Sequence, residues 1–252
     1  MISDSGDLST ETLPILYRDE ALVVVHKPSG LLVHKSLIDK RETRFALQIV
    51  RDQIGQYVYP VHRLDKPTSG ILVMALSSDI ARIVCRQIEQ QQWHKEYHAW
   101  VRGWAQDQHI DYAIKEKLDK IADAHAQRNK PAQSAQTTVT CLERYELPMS
   151  CGRYSQTRCS YVKLIPHTGR KHQLRRHLAH VNHPILGDTT HGDGKHNQVH
   201  RQHSQLHRLA LAHTTLRMLH PVSHAAMEIT CPLSPELDAF VKHLHPFRID
   251  EE

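Results

Sequence analysis

Short strand-like runs recur along this chain, and amphipathic helical segments separate them at irregular intervals. The run GILVMAL at 70–76 is continuously apolar and predicts a buried strand. The segment KEYHAWVRG at 95–103 alternates instead, which places Tyr97, Ala99 and Val101 on one face of a strand. Repeated β–α–β units would need strands and helices that alternate regularly. We therefore expect an α+β fold, with a mixed, largely antiparallel sheet flanked by helices.

The same patterns divide the chain into elements. Further strands are predicted over 15–17, 21–28, 31–34, 134–147, 155–165, 209–216 and 227–232. Helices are predicted over 41–54, from about Ile80 to Gln91, from about Arg170 to a point before Asn182, and after the start signal Ser234-Pro235-Glu236. Residues 1–12 are expected to form a flexible tail, and 104–133 and 187–208 irregular surface segments. No linker divides 13–252, which we expect to form a single domain.

Composition excludes the membrane-spanning and disulfide-rich secreted classes. The apolar runs are far shorter than a bilayer span, and acids rather than basic residues occupy the first positions of the chain. The five cysteines form no C-x-x-C pair, which favours reduced thiols over a disulfide framework. We expect a cytoplasmic protein with no membrane partner.

Positive charge is concentrated in one segment of the chain. The formal net charge is only +5, but residues 163–183 contain no acid. They carry five basic residues besides histidine: Lys163, Arg170, Lys171, Arg175 and Arg176. Such a stripe is suited to phosphate groups. A solvated helix face has the same composition, and charge alone leaves both interpretations open.

The segment HRLDKPTSG at 62–70 places one acid in a basic turn. Asp65 lies between Arg63 and Lys66 and precedes the buried strand at 70–76. Nearby cations favour an ionised carboxylate, and a turn fixed to a core strand can hold a nucleophile rigidly. A charged surface turn with a salt bridge has the same features, and the residues alone favour that simpler reading.

This segment resembles the catalytic signature of the RluA-type pseudouridine synthases, in which an aspartate stands at the position of Asp65. Three further blocks are similar to the same family in order and spacing: ILYRDEALVVVHKPSGLLVHKS, KEYHAWVRG and IPHTGRKHQLRRHLAHVNHPILGD. Together the blocks extend from residue 15 to residue 188. The resemblance implies the pseudouridine synthase catalytic fold with a central cleft. Because the first block begins at Ile15, no N-terminal S4 domain is expected.

The resemblance also implies roles for individual residues. Asp65 would be the nucleophile, Arg175 its ion-pair partner, and Tyr97 the residue that packs against the uracil ring and helps to remove the C5 proton. Arg63 would fill the space that a flipped-out uridine leaves. Binding of RNA phosphates is expected from a larger basic set: Arg63, Lys66, Arg170, Lys171 and Arg176. Without the resemblance, Tyr97 would be taken as a core aromatic residue and Arg175 as a phosphate ligand on a basic helix.

The implied reaction converts a uridine in a folded RNA to pseudouridine. It needs no redox change and no imported group, so neither a metal nor a cofactor is expected. The segments 50–56, 118–124 and 169–180 resemble most closely the branch of the family that modifies uridine 65, in the T-stem region of certain tRNAs. We expect tRNA as the partner of a monomeric enzyme. Ribosomal RNA is the alternative substrate.

Two other functions are compatible with parts of the sequence. Four histidines fall at helical spacing, and a rigid helix would align them for zinc: His196, His200, His203 and His207. Gly192 and Gly194 make such a helix uncertain, and no H-E-x-x-H pattern is present, so we do not expect a functional metal site. A non-catalytic RNA-binding protein is the second alternative, although a binder has no need of an acid that faces phosphate.

Overall fold

The computed structural model describes residues 11–35, 42–115 and 131–249. Within these ranges the strands are β1 (Ile15–Arg18), β2 (Leu22–Lys27), β3 (Tyr59–Pro60), β4 (Ser69–Ala75), β5 (His94–Arg102), β6 (Gln108–Asp111), β7 (Gln136–Leu147), β8 (Thr157–Pro166), β9 (Leu211–Leu219), β10 (Ala226–Thr230) and β11 (Arg248–Ile249). The helices are α1 (Ala46–Ile54), α2 (Ser78–Glu89), α3 (Gln173–His180), α4 (Gly194–His203) and α5 (Pro235–Leu244), and a 3₁₀ turn follows at His245–Phe247.

All strands of the described residues join one sheet, whose main path is β1-β2-β4-β9-β5-β8-β7-β11. β3, β10 and β6 pair with β4, β9 and β7 outside this path. Among the described strands, only β4 and β9 pair in parallel, and they do so through two residue pairs, Ser69–Ala212 and Gly70–His213. The expected α+β class with a largely antiparallel sheet is confirmed.

The core lies on both faces of this sheet. β4 is buried along its whole length, as its continuous apolar sequence predicted. Alternate residues of β4 contribute to different clusters: Leu72 and Met74 pack with α1, and Ile71 and Val73 with α2. A third cluster covers the second half of the sheet and includes Trp100, Leu178 of α3 and Phe240 of α5. Apolar residues therefore pack against both faces of β4 and hold it in place. This strand begins four residues after Asp65.

Two predictions of local structure were wrong. Residues 31–34 do not form a strand; only Leu32 makes an isolated bridge, to Phe45. The carbonyl groups of Leu32 and Val33 instead accept the backbone amides of Ala46 and Leu47 at the start of α1. The segment 187–208 is not irregular throughout, because Asp193 caps α4 by accepting the amides of Lys195 and His196.

Other boundaries shift by a few residues. The first helix begins at Ala46 rather than 41, since extended backbone at Phe45 precedes it. α3 begins at Gln173 rather than near Arg170, because His172 is left-handed, with φ 55°. The supposed surface segment 104–133 contains β6, which pairs with β7. The remainder of that segment at 116–130, the similarity at 118–124 and most of the predicted tail lie outside the described residues. No helix in the described ranges is long and apolar enough to cross a membrane.

Candidate active site

The turn that carries Asp65 is fixed by a second loop rather than by its own residues alone. Gly30 donates its amide to the carbonyl of Lys66 at 2.8 Å, and the Ser29 hydroxyl donates to the carbonyl of Pro67 at 2.7 Å. Within the turn, the Thr68 amide donates to the Asp65 carbonyl at 3.0 Å. The backbone from Asp65 to Pro67 is therefore anchored before β4 begins.

A buried lysine joins these two loops. Lys27, at the end of β2, is fully buried, and its Nζ donates to the carbonyls of Pro28 at 2.9 Å, Leu31 at 2.7 Å and Lys66 at 3.2 Å. Burial and the charge of Arg208 lower the pKa of Lys27 to about 7, while the carboxylate of Asp65 acts in the opposite direction. Three carbonyl acceptors satisfy all three protons of the ammonium group.

Arg175 is the cation that contacts Asp65. Its Nη1 lies 3.2 Å from Oδ2 of Asp65, and Nε2 of His172 lies 3.8 Å from the same oxygen. The Asp65 side chain is 22% exposed, whereas that of Arg175 is 4% exposed. The sequence neighbours do not take this role: Arg63 is exposed, and Lys66 pairs with Glu42 at 2.8 Å.

Asp188 holds the other side of the Arg175 guanidinium group. Nε and Nη2 of Arg175 donate to the two oxygens of Asp188, at 2.7 and 2.8 Å. Asp188 is 2% exposed and also accepts the backbone amides of Thr190 and His191. The bidentate pair leaves Nη1 of Arg175 directed at Asp65, so Asp188 fixes the orientation of the cation.

Tyr97 lies on β5 beside this charged group. Its ring stacks on His213 of β9, with centroids 4.5 Å apart and the planes 13° from parallel. Burial raises the pKa of the Tyr97 phenol, and the negative charge of Asp65 raises it further. Burial lowers the pKa of His213 to about 3 and that of His172 to about 4. At neutral pH, the Tyr97 phenol, the His213 imidazole stacked on it and the His172 imidazole near Asp65 are therefore uncharged.

Comparisons with known proteins identify the family of the chain. Residues 21–180 match the family described as RNA pseudouridylate synthase. The chain belongs to that family. A protein from Vibrio cholerae serotype O1 named tRNA pseudouridine synthase C is 52% identical over 222 residues, which cover 88% of this chain and 91% of the relative. A protein of the same name from Vibrio parahaemolyticus is 48% identical over 95% of this chain and 97% of its own length.

Solved structures show the same relationship. A structure titled Human RNA Pseudouridylate Synthase Domain Containing 1 superposes with a TM-score of 0.70 at 27% identity, covering 92% of this chain and 89% of its own. A second, titled Human RNA Pseudouridylate Synthase Domain Containing 4, has a TM-score of 0.69 at 26% identity, with coverage of 92% and 93%. The resemblance to the RluA-type family is confirmed, and with it the expectation of an isomerase.

The basic residues predicted to contact RNA are distributed around the synthase site. Arg63, Arg170 and Lys171 are exposed. Arg170 donates to the carbonyl of Ser134 at 3.1 Å, and Arg176 to that of Lys115 at 2.8 Å. Within the described residues neither arginine forms an ion pair, whereas Lys66 would have to exchange Glu42 for a phosphate.

Among the described residues, the histidines considered for a zinc site do not come together. His196, His200 and His203 lie on α4, but His207 lies beyond it. His200 is fully buried and packs edge-on against Phe240, with ring centroids 5.9 Å apart. In the described part of the chain, no group of three or more His, Cys, Asp or Glu side chains is placed to hold a metal ion.

The sequence pointed to Asp65, Tyr97 and Arg175 but not to the two residues that hold them in place, Asp188 and Lys27. Asp188 is the last residue of the IPHTGRKHQLRRHLAHVNHPILGD block, and Lys27 lies within HKPSG, yet neither was singled out. The sequence signals for these two residues were an acid that directly follows Gly187 and a lysine at the end of an apolar strand. Asp188 pairs with Arg175, 13 residues away, and Lys27 joins Lys66, 39 residues away, to its neighbours Pro28 and Leu31; only the fold reveals the two distant contacts.

Proposed function

We propose that this synthase converts a specific uridine of tRNA, at position 65 in the T-stem region, to pseudouridine, with Asp65 as the nucleophile. The observation that carries the proposal is the Asp65 carboxylate held against the buried guanidinium of Arg175, beside Tyr97. Choice of tRNA over ribosomal RNA is supported by the relatives named tRNA pseudouridine synthase C.

The reaction places two demands on the site. The N1–C1′ glycosidic bond must break, and a bond between C5 and C1′ must form after the uracil has turned. A nucleophile must act on the nucleoside, and the freed base must stay in a pocket that excludes competing water. The reaction consumes no group and leaves the oxidation level unchanged.

The contacts of Asp65 suit the first demand. Arg175 and His172 both approach Oδ2, and within the described residues Oδ1 has neither a hydrogen bond nor an ion pair. The guanidinium group stabilises the ionised carboxylate through Oδ2. Oδ1 is the oxygen that we assign to the substrate. Both attack at C1′ and promotion of a glycal intermediate begin from this ionised oxygen.

Tyr97 suits the second demand. Its stack on His213 fixes the plane of the phenol, and the raised pKa keeps the hydroxyl protonated. A neutral phenol is a weak base, so we assign Tyr97 first to packing against the uracil ring. Its contribution to removal of the C5 proton would come from the neutral hydroxyl oxygen rather than from a phenolate.

A uridine within a stem cannot reach a carboxylate, so it must leave the helix. Extruding a base costs about a few kcal/mol in lost stacking and pairing. Arg63 is exposed and lies two residues before Asp65, a position from which it can occupy the vacated space. We propose that Lys171, Arg170 and Arg176 hold the phosphates on either side, with Lys66 joining them if it releases Glu42.

Replacing Asp65 tests the proposal directly. Asp65→Asn keeps the shape of the side chain but removes the negative charge, so pseudouridine formation should fall at least about a thousandfold. Binding of tRNA should stay within a few-fold of wild type, because Asp65 contributes no attraction to phosphate. Mass spectrometry of digested tRNA measures the product, and fluorescence anisotropy measures the binding.

Asp79→Asn is the matched control, since Asp79 is an exposed carboxylate on α2. It should leave both quantities unchanged. Turnover retained in Asp65→Asn would refute the assignment of the nucleophile. A tRNA transcript with cytidine at position 65 should yield no product, and product formed in ribosomal RNA instead would refute the choice of substrate.

A further inference from the structure

An open groove lies away from Asp65, where the end of β5, the β7–β8 turn and the start of α4 meet. Its volume is about 760 Å³. Four cations line it, Arg102, Arg153, Arg158 and Lys195, together with Tyr154, His196 and two acids. Nothing in the proposed reaction uses these residues.

Two of the cations in the groove lack a compensating acid. Arg102 pairs with Asp193 at 2.6 Å, and Arg158 pairs with Glu146 at 3.0 Å. Within the described residues, neither Arg153 nor Lys195 forms an ion pair, and both side chains belong to exposed residues. The groove therefore carries a net positive charge at its open edge, which suits an anionic ligand.

Planar side chains lie beside these charges. The Tyr154 residue is 56% exposed, and the guanidinium carbon of Arg153 lies 5.1 Å from the centre of its ring. The guanidinium of Arg158 lies 3.8 Å above the ring of Trp104, which is 37% exposed. Exposed aromatic rings next to arginines are the surfaces on which unpaired nucleic-acid bases stack.

The groove lies within reach of an RNA that occupies the active site. Arg102 follows Tyr97 by five residues on the same strand, a separation of about 17 Å. That distance corresponds to about five stacked nucleotides of one strand. The loop between Asp188, which holds Arg175, and Asp193, which pairs with Arg102, borders both sites.

We propose that this groove binds a second nucleotide of the substrate RNA, outside the target uridine. Arg153 and Lys195 would contact its phosphate, and the base would stack on Tyr154. The inference rests on the proposed function in one respect, since it takes tRNA as the RNA that spans both sites. A second contact of this kind would add affinity and orientation without entering the chemistry.

Binding measurements on four proteins test the inference: wild type, the double variant Arg153→Ala with Lys195→Ala, Tyr154→Ala, and Arg82→Ala. Arg82 is an exposed arginine on α2 and serves as the control for loss of surface charge. Fluorescence anisotropy with tRNA at several salt concentrations gives Kd and its salt dependence. The double variant should weaken binding at least tenfold at low salt and reduce the slope of log K against log salt by about two.

Tyr154→Ala should weaken binding about fivefold or more with an unchanged salt slope, because stacking involves no counterion release. Arg82→Ala should keep the wild-type affinity, salt slope and single-turnover rate. Equal affinities in all four proteins would overturn the proposed site, as would an equal loss in Arg82→Ala. If only Tyr154→Ala bound tRNA normally, the proposed stacking of a base on Tyr154 would be wrong.

The two proposals fail in different ways. If wild type binds tRNA through the groove but forms no pseudouridine, the proposed reaction is wrong and the groove assignment stands. If wild type forms pseudouridine and the groove variants bind normally, the reaction stands and the second site is wrong.

Discussion

Arg175 divides its guanidinium group between two carboxylates. Nε and Nη2 face Asp188, and Nη1 faces Asp65. Burial by itself would raise the pKa of Asp188. Hydrogen bonds from Arg175 and from backbone amides nevertheless keep this pKa below its usual value. Asp188 therefore stays ionised and compensates the buried cation, which leaves the more exposed Asp65 free for the substrate.

Removing the charge of Asp188 should lower turnover without any contact to the substrate. Asp188→Asn loses the bidentate pair and leaves a buried guanidinium whose one remaining ion pair among the described residues is with Asp65. Breaking a buried pair in this way typically costs about 3–5 kcal/mol of stability. Without the Asp188 carboxylate, the Arg175 guanidinium would no longer be held in its orientation towards Asp65. We therefore expect kcat to fall at least about tenfold, with a smaller change in KM. Steady-state kinetics and thermal unfolding measure the two effects.

Asp188→Glu provides the control, since it restores the charge at a slightly different distance. It should recover part of kcat and part of the stability. If Asp188→Asn retained wild-type kcat while losing stability, Asp188 would be a structural residue only.

The sequence identified the proposed catalytic groups but not the residues that position them. The motif around Asp65 and the blocks that contain Tyr97 and Arg175 identified those three residues. Asp188 pairs with Arg175, 13 residues away, and one of the three acceptors of Lys27 lies 39 residues away. Ion pairs and buried hydrogen bonds of that kind have no local pattern, so they become visible only when the fold is known.

At the scale of elements, the pairing of β4 with β9 fixes the position of Asp65 relative to Tyr97. Gly70 lies opposite His213 in this short parallel pair, and His213 stacks on Tyr97. Gly70 has φ 114°, and a Cβ there would lie 2.1 Å from the carbonyl oxygen of His213. Both the left-handed backbone and the close approach require glycine.

Gly70→Ala should therefore separate β4 from β9 and destabilise the protein. We expect a loss of at least about 3 kcal/mol, from backbone strain and the forced contact together. Gly55→Ala is the matched control, because Gly55 has φ 66° but an added Cβ would meet nothing within 4 Å. It should cost only about 1 kcal/mol. Chemical denaturation measures both; equal losses would show that the β4–β9 contact is not tight.

Prediction of strands and helices succeeded where the apolar pattern of the segment matches its burial. It failed where contacts with distant segments determine the local structure. The apolar run of β4 and the alternation of β5 gave strands within one residue of their observed ends. Residues 31–34 are equally apolar, yet their carbonyls cap α1. α4 was missed because its glycines suggested a loop, whereas the Asp193 cap and the burial of His200 against Phe240 stabilise a helix.

Across the whole molecule, several histidines are held uncharged by burial. Burial keeps the pKa of His62 well below its usual value and lowers those of His172 and His200 to about 4 and that of His213 to about 3. In the unfolded chain these residues titrate near pH 6.5. Between about pH 6.5 and pH 4 the unfolded chain therefore binds protons that the folded chain does not, so stability falls as the pH falls through this range.

His200 isolates this effect because it lies outside the active site and is fully buried beside Phe240. His200→Leu should reduce the loss of unfolding free energy between pH 7.5 and pH 5 by on the order of 1 kcal/mol, since one proton-binding group of the unfolded chain is removed. Denaturant titrations at the two pH values measure the difference. His203→Leu places the same substitution at an exposed position of the same helix and serves as the comparison for the effect of the added leucine itself. An unaltered difference in His200→Leu would mean that His200 is protonated equally in the folded and unfolded chains, and the acid sensitivity would then have to come from the histidines around Asp65 and Tyr97.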